Sequence, residues 1–308
     1  SYAATSRVAA EVLGYDWENC VIHRGDSSRH LPWNNGQFGS NTSFTMTRTN
    51  YVAARDALQK LKQIASIRLG GRPEDWDAQN ETLVHRTNAG WRMSYAQAAR
   101  WAIEMGGAYS GMNLPDDINP MTRRSAQALA GTGLIGVARD PRHTGTVPAL
   151  AAGFIEIELD LETGRVEILD YLGVADCGVV LHPQSLATQV RGGAVMGFGM
   201  ALTERHVYDS RWGLPAAVGL YQAKPPTYLD TPGETAWSAV EIPDPENPVG
   251  AKGIGEPLMG CAAAALLCAI SDALDGHYFN RNPIATDMIV NAAARRAPSQ
   301  RPLAVNGQ

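Results

Sequence analysis

The sequence has few cysteines, no long apolar run and no excess of basic residues, and each shortage excludes a class of protein. Four cysteines in 308 residues are too few and too scattered for a disulfide scaffold, and they suggest a reducing compartment. The longest strongly apolar run, Met259 to Ile270, is shorter than the ~20 residues of a membrane span, so we expect a buried helix there. A net charge of −5 gives no indication of a nucleic-acid partner.

Two common catalytic patterns are also missing. The seven histidines show no H-x-x-x-H or H-x-E spacing, so the sequence predicts no metal site made of protein ligands. No G-x-S-x-G segment is present, which leaves little support for a hydrolase. Cys261 and Cys268, one heptad apart in the apolar run, are interpreted as core residues.

Helical and strand periods alternate along the chain and predict an α+β fold. Ser94 is the expected N-cap of one helix and Asn50 that of another, with residues 31–49 before it as a loop. Residues 106–145 are irregular and suggest a domain boundary or a surface excursion, and residues 215–248 read as extended and proline-rich. The predicted helices cover 3–13, 51–69, 95–104, 189–204 and 259–270; the predicted strands cover 20–23, 82–86, 91–93, 155–159 and 166–168.

The segment from Gly250 to Pro257 carries the most chemical information. Its three glycines let the backbone approach a ligand closely. Lys252 and Glu256 lie on this tight loop, directly before the apolar helix, and a helix N-terminus favours anions. The bare pattern leaves two readings open, a ligand-binding loop or a tight turn capped by Glu256.

Two further segments are unusual in composition. Gln189 to Glu204 is an apolar helix with four glycines, each of which costs ~1 kcal/mol inside a helix. Glycines retained at such a cost indicate either close packing against another helix, which the pattern alone favours, or a ligand that comes close to the helix backbone. Gly39 to Ser43 is rich in hydroxyl and amide groups, so it suits either phosphate binding or an ordinary capping loop.

In this order and spacing, these segments resemble the C-terminal half of the molybdopterin-binding large subunit of the xanthine oxidase family. The residues 250–256 resemble its G-x-K-G-x-G-E segment, residues 189–199 its Q-x-x-G-G-x-x-x-G-x-G helix start, and residues 38–40 its F-G-S/T pterin-binding loop. Supporting matches are Asp176-Cys177-Gly178 with Pro183, Asp244 to Pro248, and Asn282-Pro283-Ile284.

The resemblance implies a molybdenum–molybdopterin cofactor, in the cytosine dinucleotide form as one option, whose pterin holds the metal. It implies mixed sheets and helices in two molybdopterin-binding subdomains, residues 1–145 and residues 146–308, with the glutamate loop in the second. Glu256 would be the general base. The implied cofactor contacts are Phe38, Gly39, Ser40, Asn41, Thr42, Gln189, Gly250, Ala251, Lys252, Gly253, Ile254 and Gly255.

The implied activity is oxidation of an aldehyde, or hydroxylation of an N-heterocycle or another activated carbon, with water as the oxygen source. Two alternatives stay open: the same cofactor used for hydration or for acyl-CoA dehydroxylation, and a non-catalytic scaffold half. Electrons would leave through iron–sulfur clusters and FAD on partner subunits. We expect a cytoplasmic protein, with the periplasm as the alternative, that takes a small-molecule substrate.

A glycine-rich G-G-x-F-G loop, which the family carries in its first half, is absent here. We therefore expect a separately encoded or cleaved second half, with a partner chain that carries the first half. Two departures concern detail: Arg191 stands where many relatives have Glu, and Leu220 to Ala223 replaces a more usual polar-Lys-Pro run beside the substrate funnel.

Overall fold

The computed structural model describes residues 2–34, 36–139 and 145–298, and they form two units of mixed helix and sheet. The first unit comprises Ser1–Val147 with Pro243–Lys252, and the second comprises Pro148–Ile242 with Gly253–Gln308. Both units contain helices and strands, so the predicted α+β class is confirmed. The glycine loop before the apolar helix begins in the first unit and ends in the second.

In the first unit, helix α2 (Thr42–Leu69) packs against α1 (Tyr2–Leu13) and α3 (Tyr95–Met105). An antiparallel sheet follows the order β1 (Trp76–Gln79), β2 (Thr82–His85) and β3 (Arg92–Ser94), and α4 (Pro120–Ala128) comes later in the chain. The core between α2, α3 and the sheet contains Leu61, Ile64, Ala65, Trp76, Leu83, Met93, Tyr95, Ala98 and Ala102.

In the second unit, β4 (Leu150–Leu159) and β5 (Val166–Asp176) form an antiparallel pair, and β6 (Thr235–Ala239) runs parallel to β5. Helices α5 (Pro183–Leu202) and α7 (Glu256–Ala273) pack against each other and against this sheet. The shorter helices are α6 (Leu220–Ala223) and α8 (Thr286–Ala293). Tyr171, Val190, Ala194, Phe198, Leu258, Ala262, Leu266 and Ile270 are among the core residues.

The elements with the clearest local signals are confirmed. The apolar–acidic alternation of residues 155–159 lies in β4, which pairs with β5 across the predicted turn. Ser94 caps α3 as expected, because its Oγ accepts a hydrogen bond from the Gln97 amide at 3.2 Å while Gln97 Oε1 accepts one from the Ser94 amide at 2.9 Å. This reciprocal pair is a capping box.

The predicted start of the long helix was wrong. Helix α2 begins at Thr42, and Asn50 lies inside it, where its Nδ2 donates to the Thr5 carbonyl at 3.0 Å. Thr47 and Thr49 satisfy their hydroxyl groups within the helix, as Thr49 Oγ1 does by donating to the Thr45 carbonyl at 2.9 Å. Hydroxyl groups bonded to the preceding turn are compatible with a helix, so this composition did not require a loop. Asn35, within the predicted loop, lies outside the described residues.

Other secondary-structure predictions failed where the sequence pattern covers few residues or where the pairing segment lies far away in the chain. Residues 20–23 form no strand. The predicted irregular stretch 106–145 contains α4, with Asn119 as N-cap and Pro120 in the first turn, which is a standard helix start. Residues 140–144 of that stretch, with Pro141, lie outside the described residues. The proline-rich stretch 215–248 includes the extended strand β6, whose partner β5 is distant in sequence, but it also contains the short helix α6, which was not predicted.

Helix α7 is, by length and composition, the one helix among the described residues that could cross a membrane. Four of its apolar residues, Leu258, Ala262, Leu266 and Ile270, are nevertheless almost fully buried in the core of the second unit. This burial agrees with the core helix that the sequence predicts. The interpretation of Cys268 as a core residue was wrong, because it lies on the exposed side of the helix, while Cys261 is partly buried.

Candidate cofactor-binding and catalytic site

The first set of predicted contacts, Phe38 to Thr42, forms an exposed turn that leads into α2. Gly39 and Ser40 both adopt the left-handed conformation, with φ of 65° and 53°. The turn places Asn41 at the N-cap position, but the Asn41 side chain makes no capping hydrogen bond. The Phe38 ring is exposed. The turn therefore presents an amide side chain and the start of α2 on one exposed surface.

This turn has room for a ligand. A Cβ placed on Gly39 would meet no atom within 4 Å, so glycine is favoured here for its positive φ, and the space beside the backbone is open. A helix N-terminus carries a partial positive charge and amides without helical partners. Open space beside a helix start suits an anionic group such as a phosphate, so these residues fit the implied pterin cofactor.

The first half of the glycine loop, Gly250 to Lys252, belongs to the same unit as this turn. Gly250 has a positive φ of 71°, and Ala251 is 1% exposed. The preceding segment folds back on itself, because the Asp244 amide donates to the Gly250 carbonyl at 3.0 Å. Asn247 attaches this segment to the beginning of α2 through two hydrogen bonds. Sequence reasoning assigned Asn247 no role.

The second half of the loop leads into α7 within the second unit. Gly255 is the N-cap residue and Glu256 is the first residue of the helix, followed by Pro257. The Leu258 amide donates to the Gly255 carbonyl at 3.1 Å. Glu256 is exposed, at a helix end that favours a negative charge. An exposed carboxylate in this position can accept a proton, which is what a general base requires.

Gln189 lies on the face of α5 that is turned toward this helix start. Its Nε2 donates to the Ile254 carbonyl at 3.5 Å, a long hydrogen bond. One and two turns later on the same face, Gly193 and Gly197 pack against α7: an added Cβ would come within 2.7 Å of Leu258 Cβ and 2.6 Å of the Met259 carbonyl, respectively. The sequence-based interpretation of close helix packing is thus confirmed for these two glycines.

A buried tyrosine supports the other side of α7. Tyr171 of β5 is 1% exposed, and its hydroxyl lies 3.5 Å from Cys261 Sγ. Burial and the neighbouring thiol raise the pKa of Tyr171 above its ordinary value. The tyrosine therefore stays neutral and serves as packing, as does Cys261.

The structure brings the predicted residues together in two groups. The first unit holds the Phe38–Thr42 turn and Gly250–Lys252, and the second holds Gln189 with Gly253–Glu256. Within the described residues, no group of three or more His, Cys, Asp or Glu side chains could hold a metal ion.

The two departures from the family pattern lie in the second unit. Arg191 Nε donates to the Thr235 carbonyl of β6 at 3.5 Å, so this side chain reaches the sheet. Leu220 to Ala223 forms the short helix α6, with Leu220 and Tyr221 largely exposed.

Comparisons with known proteins show the family of this chain. Residues 1–232 match the family model of the molybdopterin cofactor-binding domain. The chain is 29% identical over 297 residues to the nicotine 6-hydroxylase large subunit of Paenarthrobacter nicotinovorans, covering 93% of this chain and 33% of that protein. It is 27% identical to the aldehyde oxidoreductase molybdenum-binding subunit of Escherichia coli (strain K12), covering 92% of this chain and 33% of that subunit.

Solved structures show the same fold. The crystal structure of quinoline 2-oxidoreductase from Pseudomonas putida 86 superposes with a TM-score of 0.75 at 24% identity, covering 96% of this chain and 35% of that chain. The chain thus spans about one third of the length of the relatives it matches. With three quarters of its length in the matched region, the chain belongs to the molybdopterin cofactor-binding domain family of the xanthine oxidase-type molybdenum enzymes.

Proposed function

We propose that this chain forms part of the catalytic site of a molybdenum hydroxylase or dehydrogenase, with Glu256 as the general base. The observation that carries the proposal is the position of Glu256, an exposed carboxylate at the first residue of α7 and directly after the glycine loop. The relatives support the reaction class, since they include a nicotine hydroxylase subunit and an aldehyde oxidoreductase subunit.

The chain's own residues have separate tasks in this proposal. The Phe38–Thr42 turn and the Gly250–Lys252 backbone bind the pterin and its phosphate, and Gln189 steadies the loop through the Ile254 carbonyl. Glu256 accepts the proton when water-derived oxygen is transferred to an aldehyde, an N-heterocycle or another activated carbon. The cofactor, when bound, supplies the two-electron redox chemistry that no side chain can perform.

The proposed partners are a polypeptide that carries the remainder of the molybdenum-binding subunit, an iron–sulfur subunit and an FAD subunit. Relatives are named as subunits, including a 6-hydroxypseudooxynicotine dehydrogenase complex subunit gamma. The four cysteines, all within the described residues, form no disulfide, which supports a reducing, cytoplasmic location. We place the ligands of the iron–sulfur clusters on the partner chains. The pterin in the cytosine dinucleotide form is part of the same proposal.

Substitution of Glu256 in the purified complex tests the catalytic assignment. Glu256→Gln keeps the size of the side chain and removes the base, so turnover with dye as the electron acceptor should fall by ~10²–10⁴. Molybdenum content should stay at the wild-type level. Glu158→Gln, at an exposed position of β4, is the matched control and should leave turnover unchanged.

Each other outcome has a definite meaning. Turnover of Glu256→Gln near the wild-type rate would remove Glu256 from the mechanism. Stoichiometric molybdenum with substrate conversion but no dye reduction would favour the hydratase or dehydroxylating alternative. A complex without molybdenum would favour the scaffold alternative.

A further inference from the structure

The side chain of Asn247, close to the candidate loop in sequence, makes four hydrogen bonds. It is 6% exposed, and both ends of its amide are used. Nδ2 donates to the Phe44 carbonyl at 3.1 Å and to Thr47 Oγ1 at 2.8 Å. Oδ1 accepts hydrogen bonds from the Val249 amide at 3.0 Å and the Ala251 amide at 3.3 Å.

The two ends of this amide serve different parts of the first unit. The Oδ1 bonds close the local turn, which is also held by the Gly250 amide donating to the Asn247 carbonyl at 2.9 Å. The Nδ2 bonds leave the turn and reach the first two turns of α2, the helix that starts at Thr42. One side chain therefore joins the glycine loop to the helix that carries the Phe38–Thr42 turn.

Few side chains can make the four hydrogen bonds that Asn247 makes at this position. An amide side chain has two N–H donors and one oxygen with two lone pairs, and all four are engaged here. Aspartate has the same shape but lacks the donors, and its carboxylate would face the Phe44 carbonyl. Because a buried polar group left without its partner costs more than its hydrogen bond contributes, few other residues can fill both roles.

We propose that Asn247 is a positioning residue that holds Gly250–Lys252 at a fixed distance from the cofactor-binding turn at the start of α2. The proposal rests on the proposed function for the identity of the bound group. Asn247 does not touch the reacting atoms. It keeps two cofactor-binding segments of the first unit at a constant separation, so that they meet the same pterin.

The test measures amide hydrogen exchange of residues 249–252 in the full complex, together with molybdenum per chain. Asn247→Asp retains the acceptor for the local turn and loses the donors to α2, so exchange should accelerate about tenfold and molybdenum content should fall. Asn247→Ala should have a larger effect on both. Thr47→Val removes one partner in α2 and should have a smaller effect, and Thr47→Ser, which keeps the hydroxyl, should restore the wild-type values.

Asn88→Asp is the matched control, because the Asn88 Oδ1 accepts a hydrogen bond from the Gly90 backbone amide at 3.1 Å and aspartate keeps this acceptor. It should change neither readout. Exchange of the β1–β3 sheet should remain unchanged in all variants, which separates a local positioning role from general loss of stability. If Asn247→Asp accelerates exchange throughout the unit, or nowhere, the proposal is overturned.

The two proposals fail in different ways. If the wild-type complex contains no molybdenum, the proposed function fails, while exchange still decides whether Asn247 holds the loop on α2. If the loop loosens in Asn247→Asp but molybdenum content and the Mo(V) electron paramagnetic resonance spectrum remain those of the wild type, positioning toward the cofactor is wrong and the family function stands.

Discussion

The two units hold their parts of the candidate site by different physical means. In the first unit the glycine loop is attached to α2 by the polar side chain of Asn247, which makes two hydrogen bonds to α2 at 2.8 and 3.1 Å and two within the loop at 3.0 and 3.3 Å. In the second unit α7, which starts with Glu256, is seated by the bare backbone of Gly193 and Gly197 in α5. Hydrogen bonds specify partners by direction, whereas glycine contacts specify only distance.

This difference predicts different sensitivities. A polar attachment fails when a donor is removed, although the volume of the residue stays the same. A glycine contact fails when volume is added, although no polar group changes. Three further substitutions, each with its own control, test the two units in the purified protein. They follow in order of their expected effect on the free energy of unfolding.

Gly197→Leu should have the largest effect. The new Cβ alone would lie 2.6 Å from the Met259 carbonyl and 2.7 Å from Ala262 Cβ, so α5 and α7 must separate. Overpacking of this kind costs about 3 kcal/mol, measured as the free energy of unfolding in urea.

The control lies five residues earlier in the same helix. Gly192 has nothing within 4 Å of an added Cβ, so Gly192→Leu should be neutral or stabilise by up to about 1 kcal/mol through helix propensity. Equal losses in the two variants would show that glycine contacts do not seat α7.

High pH should weaken the first unit through Tyr95. This residue is 4% exposed, its hydroxyl donates to the Leu13 carbonyl at 2.6 Å, and burial raises its pKa from 10.0 to about 12. Because the folded state holds the proton more tightly than the unfolded chain, the stabilisation is complete below pH ~10 and is lost as the pH rises to ~12.

Urea unfolding at a series of pH values measures this loss. The wild type should lose about 2 kcal/mol more than Tyr95→Phe between pH 10 and pH 12. Tyr278→Phe, at an exposed position, should follow the wild type. The same experiment with Tyr171→Phe sharpens the comparison, since burial also raises the pKa of Tyr171 in the second unit. Parallel pH curves for the wild type and Tyr95→Phe would contradict the assignment.

Gly39→Val should have the smallest effect on stability and a clear effect on cofactor content. Its φ of 65° costs a side chain about 1–2 kcal/mol, with no clash, since an added Cβ meets nothing within 4 Å. Molybdenum analysis should show loss of the cofactor, because the side chain enters the open space beside the turn.

Gly25→Val is the matched control for that variant. Gly25 has a φ of 63° and the same open surroundings, so it carries the same strain at a place without predicted cofactor contacts. Molybdenum content should remain complete there. If both variants lose molybdenum equally, backbone strain and not the cofactor-binding turn is responsible.

Some of the site could be predicted from the sequence because its signals are local or recurrent. The glycine loop, its carboxylate and the Phe38–Thr42 turn can all be identified in the sequence through a resemblance of ordered motifs. The structure adds that the loop divides between two units at Lys252 and Gly253. The roles assigned to these residues stay predictions until the variants are measured.

The hydrogen bonds of Asn247 to α2 could not be predicted from the sequence. It lies in a polar, proline-flanked stretch that is typical of a surface turn, and its partners Phe44 and Thr47 are about 200 residues earlier in the chain. No local pattern can indicate such a bond. The same reason hid β6, which pairs in parallel with a strand some 60 residues away.

The sequence by itself determined the elements whose causes lie within a few residues. The alternation in β4, the capping box of Ser94 and Gln97, and the glycines of α5 and of the loop before α7 all express local backbone and side-chain preferences. Tertiary structure alone decided where α2 begins, which glycines face another helix, and which side chain holds the loop. Those features depend on contacts between distant segments, whose free energy exists only once the chain has folded.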